Sequence, residues 1–253
     1  MPTPAEPLVL DLIRKGYFVG LQEWMKSLSA PFWWPRWESG PSPYECGTMF
    51  FVKLGGRTVG VTAAHVHRKV CRLRARDQTP WCQVGGHTFS PEVALLDIDD
   101  ALDIATYSIS DVALSAIGGH AHDPPAWPPL VSEHDLILPS GFPSALSQAG
   151  PNEGTHMHVW FACRAQVSGE DQLGAPSFTR TSVPVGAQGL PPDTPLYGMS
   201  GGPVFRLEED GLSTMTIVGL VHEYHEQFEI FLIRPLTRIL TDGRIRRDGA
   251  EDA

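Results

Sequence analysis

Cationic side chains are scarce: 19 Lys and Arg stand against 29 Asp and Glu, a formal net charge of −10. That balance excludes the basic face by which a protein holds a phosphate backbone, so nucleic acid is not an expected partner. The one basic cluster, Arg244 to Arg247, is flanked by Asp242 and Asp248 and reads as a solvated tail. Long apolar runs are missing as well. No stretch approaches the roughly 18 to 20 apolar residues of a membrane span, so no membrane is expected. The start, Met1-Pro2-Thr3-Pro4-Ala5-Glu6, lacks the basic residues and apolar run of a secretory leader, and a cytoplasmic location is the expectation. Cysteines are few. Cys46, Cys71, Cys82 and Cys163 show no C-x-x-C or zinc-ribbon spacing. Without a leader they read as reduced, mostly buried thiols, and only secretion would make a Cys71–Cys82 bridge conceivable.

What the chain does have is turns. With 25 glycines and 23 prolines, the 253 residues suit an all-β architecture of short strands. Thr48 to Leu54 and Arg57 to Thr62, joined by Gly55-Gly56, read as a hairpin; Trp81 to Val84 and His87 to Phe89, joined by Gly85-Gly86, read as another. Val93 to Leu96 and Ile104 to Ile109 add strands. A turn-rich crossing at 118 to 130, with four prolines, divides the chain. Beyond it, strands are expected at Leu136 to Leu138, His158 to Cys163, Ser177 to Thr181, Pro203 to Leu207, Met215 to His222 and Phe228 to Ile233, with a short helix from Pro235. Two runs of about six strands each predict two packed six-stranded antiparallel β-barrels.

The expected divisions are an N-terminal arm over 1–40, a first barrel over 41–125, a second over 126–242 and a tail over 243–253. In the arm, Leu8, Val9, Leu12 and Ile13 before Gly16 suggest one short helix, and Leu21 to Leu28 a second. Phe32-Trp33-Trp34-Pro35-Arg36-Trp37 gathers three of the seven tryptophans. These aromatics either pack the arm onto the body, the favoured reading, or present a docking surface to a regulatory protein partner.

Three fragments carry chemistry. Thr62-Ala63-Ala64-His65 offers a base, Leu102-Asp103-Ile104-Ala105 a carboxylate in an apolar setting, and Gly198-Met199-Ser200-Gly201-Gly202-Pro203 a hydroxyl among glycines. Acyl transfer by serine needs those roles and an anion site beside them. The small residues before His65 let a strand end pack closely while the imidazole enters a cleft. Burying Asp103 is costly unless a partner such as His65 receives it. A glycine at 198 lets its N–H and that of Ser200 converge on one point, the oxyanion site. His67 and Asp100 are the second choices for base and carboxylate. Taken singly, the His65 and Ser200 fragments have plain structural alternatives, a surface histidine and a glycine-rich turn, and the nearby Asp97, Asp99 and Asp100 read as a solvated turn. The same letters fit a G-x-S-x-G nucleophile elbow, but that needs a following helix and a later acid and histidine, whereas Pro203 to Leu207 reads as a strand.

In these motifs and their order the chain resembles the trypsin-like (chymotrypsin-fold) serine peptidases, in the style of their bacterial single-chain members, over roughly residues 44 to 240. The resemblance implies two β-barrels, a polypeptide substrate, no cofactor, His65, Asp103 and Ser200 as catalytic residues, and Gly198 and Ser200 amides as oxyanion donors. It also places the specificity pocket between the segment Asp193 to Tyr197 and the strand Val221-His222-Glu223-Tyr224. Glu223 or Asp193 facing inward would favour Lys or Arg at the cleaved position; His222 inward would suit an acidic or amide side chain. Strand alternation puts His222 and Glu223 on opposite faces. In zymogen-activated members the residue before the serine is an aspartate that pairs with a freshly cut N-terminus. Met199 stands there, so competence without such a cut, or control by a partner, is expected. His120-x-His122 and His156-x-His158 each lack a third ligand in a recognised spacing, so no metal is expected. A peptide-binding scaffold on a peptidase fold is the alternative from another class; a peptidase held latent until its N-terminal arm meets a partner is a third.

Overall fold

The computed structural model describes residues 17–35, 44–76, 81–149, 156–171, 178–182, 195–207, 215–225 and 230–247. The helix expected at Leu8 to Ile13, Trp37, Ser177, Asp193 and residues 248 to 253 lie outside them. The framework is all-β. The first half contributes strands β1 (Ser29–Pro35), β2 (Tyr44–Leu54), β3 (Arg57–Thr62), β4 (Cys82–Val84), β5 (His87–Phe89), β6 (Leu95–Asp99) and β7 (Ile104–Ile109). They form one antiparallel sheet in the order β5-β4-β1-β2-β3-β7-β6. Both Gly-Gly hairpins form with two-residue turns, Leu54 opposite Arg57 and Val84 opposite His87.

The second half contributes β8 (Leu136–Gly141), β9 (Gln148–Ala149), β10 (His156–Met157), β11 (Phe161–Ala162), β12 (Ala165–Asp171), β13 (Phe178–Ser182), β14 (Pro203–Leu207), β15 (Met215–His225) and β16 (Ile230–Pro235). Here β8 pairs with both β12 and β14. The ring β8-β12-β13-β16-β15-β14 therefore closes with six strands, and β11 adds to its side. Closure removes the exposed edges that an open sheet would carry. A two-stranded pair, β9 with β10, stands apart.

Four expectations change. The segment assigned to the N-terminal arm supplies β1, which pairs with β2 along its length and with β4 at Phe32 and Trp33. Alternation then sorts the aromatics: Phe32 and Trp34 enter the core, where Phe32 meets Phe89 and Tyr107 edge-on, while Trp33 turns to Tyr44 and Trp81. Phe32 and Trp34 are thus core residues. Second, the tail beginning at 243 is docked as far as Arg247. Ile245 is buried in the first core, its N–H donates to Asp97 Oδ2 at 2.9 Å, and Arg247 pairs with Asp97. Third, Pro91–Ala94 is a helical turn where a strand was expected, with proline in the first turn where its missing N–H costs nothing. Last, the C-terminal helix is a single 3₁₀ turn, Leu236–Arg238.

The helix expected near Leu21 spans Tyr17–Ser27. Two further helices, Ala64–Ala75 and Asp111–Ile117, were not anticipated. The former positions the site. Val66 and Val70 are buried on its inner face, and Arg68, Lys69 and Arg72 lie outside. All four cysteines are free thiols. Among the described residues no helix is long and apolar enough to cross a membrane.

Candidate active site

β3 ends at Thr62, and the helix Ala64–Ala75 starts at once, so His65 stands in the helix's first turn. A helix start leaves N–H groups without partners, and Ala63 provides no side-chain cap. Asp103, 38 residues away, supplies the acceptors. Its carbonyl takes the Ala64 N–H at 3.1 Å and its Oδ1 takes the His65 N–H at 2.8 Å. Asp103 reaches this position with φ 53°, a left-handed conformation that aspartate tolerates better than most residues. The other carboxylate oxygen, Oδ2, lies 2.8 Å from His65 Nδ1. One aspartate therefore fixes both the backbone and the ring of His65.

Oδ2 has a second partner: His222 Nδ1 at 2.5 Å. The two imidazoles meet edge to face, with ring centroids 6.0 Å apart. Burial alone would raise the Asp103 pKa, but the hydrogen bonds from His222 and His65 outweigh it and hold the carboxyl well below the usual range. Asp103 is thus an anion wherever the protein is folded near neutral pH.

Ser200 sits on the loop before β14. Its carbonyl accepts the Thr48 N–H at 2.9 Å, and Gly201 N–H donates to the Val221 carbonyl at 2.7 Å, so the loop is tied to both halves of the molecule. Gly201, with φ 83°, lies against Thr48 and Thr62, and any side chain there would collide with Thr62 Oγ1 and the Thr48 carbonyl. At Gly198 φ is 102°, and a Cβ would fall 2.6 Å from the Phe142 carbonyl oxygen. Met199 N–H is engaged by the Leu196 carbonyl at 3.2 Å. Among the described residues the Gly198 and Ser200 N–H groups have no protein acceptor. The Met199 side chain is buried in the second barrel's core.

His65, Asp100, Asp103, Tyr197, Ser200, His222, Glu223 and Tyr224 line one cleft of about 690 Å³. Among the described residues no hydrogen bond joins His65 to Ser200. Asp100 pairs with Arg68 at 2.9 Å, and among the described residues no hydrogen bond or ion pair joins it to His65. His67 turns into the core, bonded to the Tyr107 hydroxyl at 2.8 Å, and burial lowers its pKa. Tyr197 is exposed at the rim, and Tyr224 packs on Phe231.

The expectation that His222 and Glu223 face opposite ways fails. Val221 pairs with Ile233 and Glu223 with the next residue back, Leu232, which makes His222 the extra residue of a β-bulge. A bulge resets the alternation, so both side chains reach the cleft. The Asp103–His222 contact was invisible in the sequence for this reason. Of the other histidines, His122 is buried between β2 and the helix Tyr17–Ser27 near Trp24. Among the described residues the cluster with metal-ligand potential is His65, Asp103 and His222.

No family model and no curated protein matches the chain. Solved structures to which it is similar include the active form of the Rv3671c protease from M. tuberculosis (14% identity, 92% of this chain and 82% of that one, TM-score 0.49). Its inactive form matches at 15% identity, 92% and 91% coverage and TM-score 0.46. The thermostable serine protease AL20 from an extremophilic microorganism matches at 12% identity, 83% and 92% coverage and TM-score 0.48. The chemistry open to this cleft is decided by its own residues.

Proposed function

We propose that the chain is a trypsin-like serine endopeptidase that cleaves polypeptides through an acyl-enzyme. The observation that carries the reading is the double grip of Asp103 on His65, backbone and ring, at the mouth of a cleft shared with Ser200. Because Asp103 Oδ2 is anionic, Nδ1 of His65 bears the proton, and Nε2 is left with a lone pair. That nitrogen takes the Ser200 proton as Oγ bonds to the substrate carbonyl carbon. The Gly198 and Ser200 N–H groups, which have no acceptor among the described residues, receive the oxygen's negative charge. His65 then protonates the departing amine, and water reverses the sequence to release the acid. Hydrogen bonds between hydroxyl and base are commonly long without substrate and tighten when it binds.

His222 is a positioning residue in this scheme. Its N–H gives Oδ2 a second hydrogen bond beside that of His65, which restrains the carboxylate's rotation. Met199 supports competence without N-terminal cleavage: a buried thioether stands where a carboxylate would be needed to receive a new ammonium group. No cofactor enters the scheme. Profiling against a library of peptides tests the assignment. The wild-type chain is expected to cut internal peptide bonds, and Ser200→Ala is expected to cut none; equal turnover by both would overturn it.

A further inference from the structure

Asp103 Oδ2 lies between two imidazole nitrogens, 2.8 Å from His65 Nδ1 and 2.5 Å from His222 Nδ1. One potential ligand atom from each residue falls within 4.8 Å of the others. Two imidazoles and a carboxylate oxygen form a donor set that zinc and similar divalent ions accept, with a fourth position left for water. We propose that His65, Asp103 and His222 bind a zinc-class divalent cation, and that its binding silences the site. The silencing rests on the peptidase function proposed above; the binding does not.

Three observations support it. The carboxylate is already oriented, because Oδ1 is held by the His65 backbone N–H and only Oδ2 faces the two rings. Glu223 stands behind His222, with Oε2 4.0 Å from Nε2. A metal-bound histidine usually hands its second N–H to such a carboxylate, which fixes the ring and raises its basicity. Access is open as well: the His65 side chain is 49% exposed, and among the described residues the cleft is lined by Asp100 and Glu223 and by no Lys or Arg. Metal bonds of about 2.0 to 2.1 Å set tetrahedral ligand spacings near 3.3 Å. The present contacts, 2.8 and 2.5 Å, are shorter, so both Nδ1 atoms and Oδ2 draw apart by less than about 1 Å to admit the ion.

Coordination through Nδ1 has a chemical consequence. In the peptidase scheme His65 directs its Nδ1 proton at Oδ2 and keeps a lone pair on Nε2. The ion takes the His65 Nδ1 lone pair, so that ring moves its proton to Nε2 through solvent. His65 Nε2 then donates instead of accepting, and the Ser200 proton has nowhere to go. The cation disables the base without touching Ser200. His222, bound through Nδ1, carries its N–H at Nε2, toward Glu223.

The test uses the full chain. Titration of Ser200→Ala with Zn²⁺ in a calorimeter is expected to show one ion per chain, weakened at least about tenfold by His222→Gln. Co²⁺ bound to Ser200→Ala is expected to show visible bands of a nitrogen–oxygen site without thiolate charge transfer, a readout independent of whether His222→Gln folds. No saturable binding, binding unchanged in a folded His222→Gln variant, or thiolate bands from Cys46 or Cys71 would overturn the site. Saturating Zn²⁺ is expected to slow fluorophosphonate labelling of wild-type Ser200 at least about tenfold, with recovery on chelation. Labelling untouched by bound Zn²⁺ would overturn the silencing. If the metal-free chain never labels while zinc still binds, the peptidase reading falls and the metal site stands.

Discussion

Replacing Asp103 by asparagine should change one atom and the protonation pattern of two histidines. The His65 backbone N–H requires an oxygen at the Oδ1 position, 2.8 Å away, so the amide settles with its oxygen there. Its NH₂ group then occupies the Oδ2 position, facing Nδ1 of His65 and Nδ1 of His222. An NH₂ group can only donate, so both Nδ1 atoms must accept and both rings carry their proton on Nε2. His65 is then in the tautomer that cannot take a proton from Ser200. A loss of this kind is worth about 10⁴-fold in kcat, or about 5.5 kcal/mol of transition-state stabilisation. The side-chain cap on the His65 N–H survives in Asp103→Asn and is lost in Asp103→Ala, so the alanine variant should melt at the lower temperature of the two. The assay is kcat on a peptide substrate alongside thermal melting. A loss of less than about tenfold in a folded Asp103→Asn protein would refute the reasoning.

Other outcomes follow from the same geometry. His222→Ala removes a hydrogen bond to a buried anion, worth about 1.5 to 3 kcal/mol, and should lower kcat by about 10- to 100-fold with little change in KM; a change confined to KM would instead make His222 a substrate contact. Gly198→Ala places a methyl group against the Phe142 carbonyl at a φ that disfavours alanine, and should cost about 10²- to 10³-fold in kcat through displacement of the oxyanion donor; wild-type turnover would contradict that. Because the folded Asp103 carboxyl titrates below its unfolded value, it contributes stability that is complete above about pH 4 and lost as the pH falls further. Unfolding measured between about pH 5 and pH 2 should therefore depend less steeply on pH in Asp103→Asn than in the wild type.

Much of the site was legible because its signals are local. Gly198 and Gly201 must be glycine for backbone reasons, Asp103 needs a partner in its apolar setting, and the two Gly-Gly turns mark their hairpins. What the sequence hid depends on pairing across distance. β1 contains Pro31 and Pro35, which argue against a strand. It is tolerated because β4 pairs only with Phe32 and Trp33, leaving both prolines with a strand on one side. The helix after His65 has its signal in the spacing of Val66, Val70 and Leu73, but it begins directly at the end of β3 with no side-chain cap at Ala63 to mark its start. The position of His222 was not readable at all. A bulge is a property of two strands in register, and without it alternation sends His222 away from Glu223.

The central claim, that Ser200 is a nucleophile activated by His65, is tested most directly by mass mapping of the intact chain after exposure to a fluorophosphonate. One adduct on Ser200 is expected in a protein whose N-terminus is uncut, and none in His65→Ala. Absence of the adduct in the wild type, or equal labelling of His65→Ala, would contradict the account.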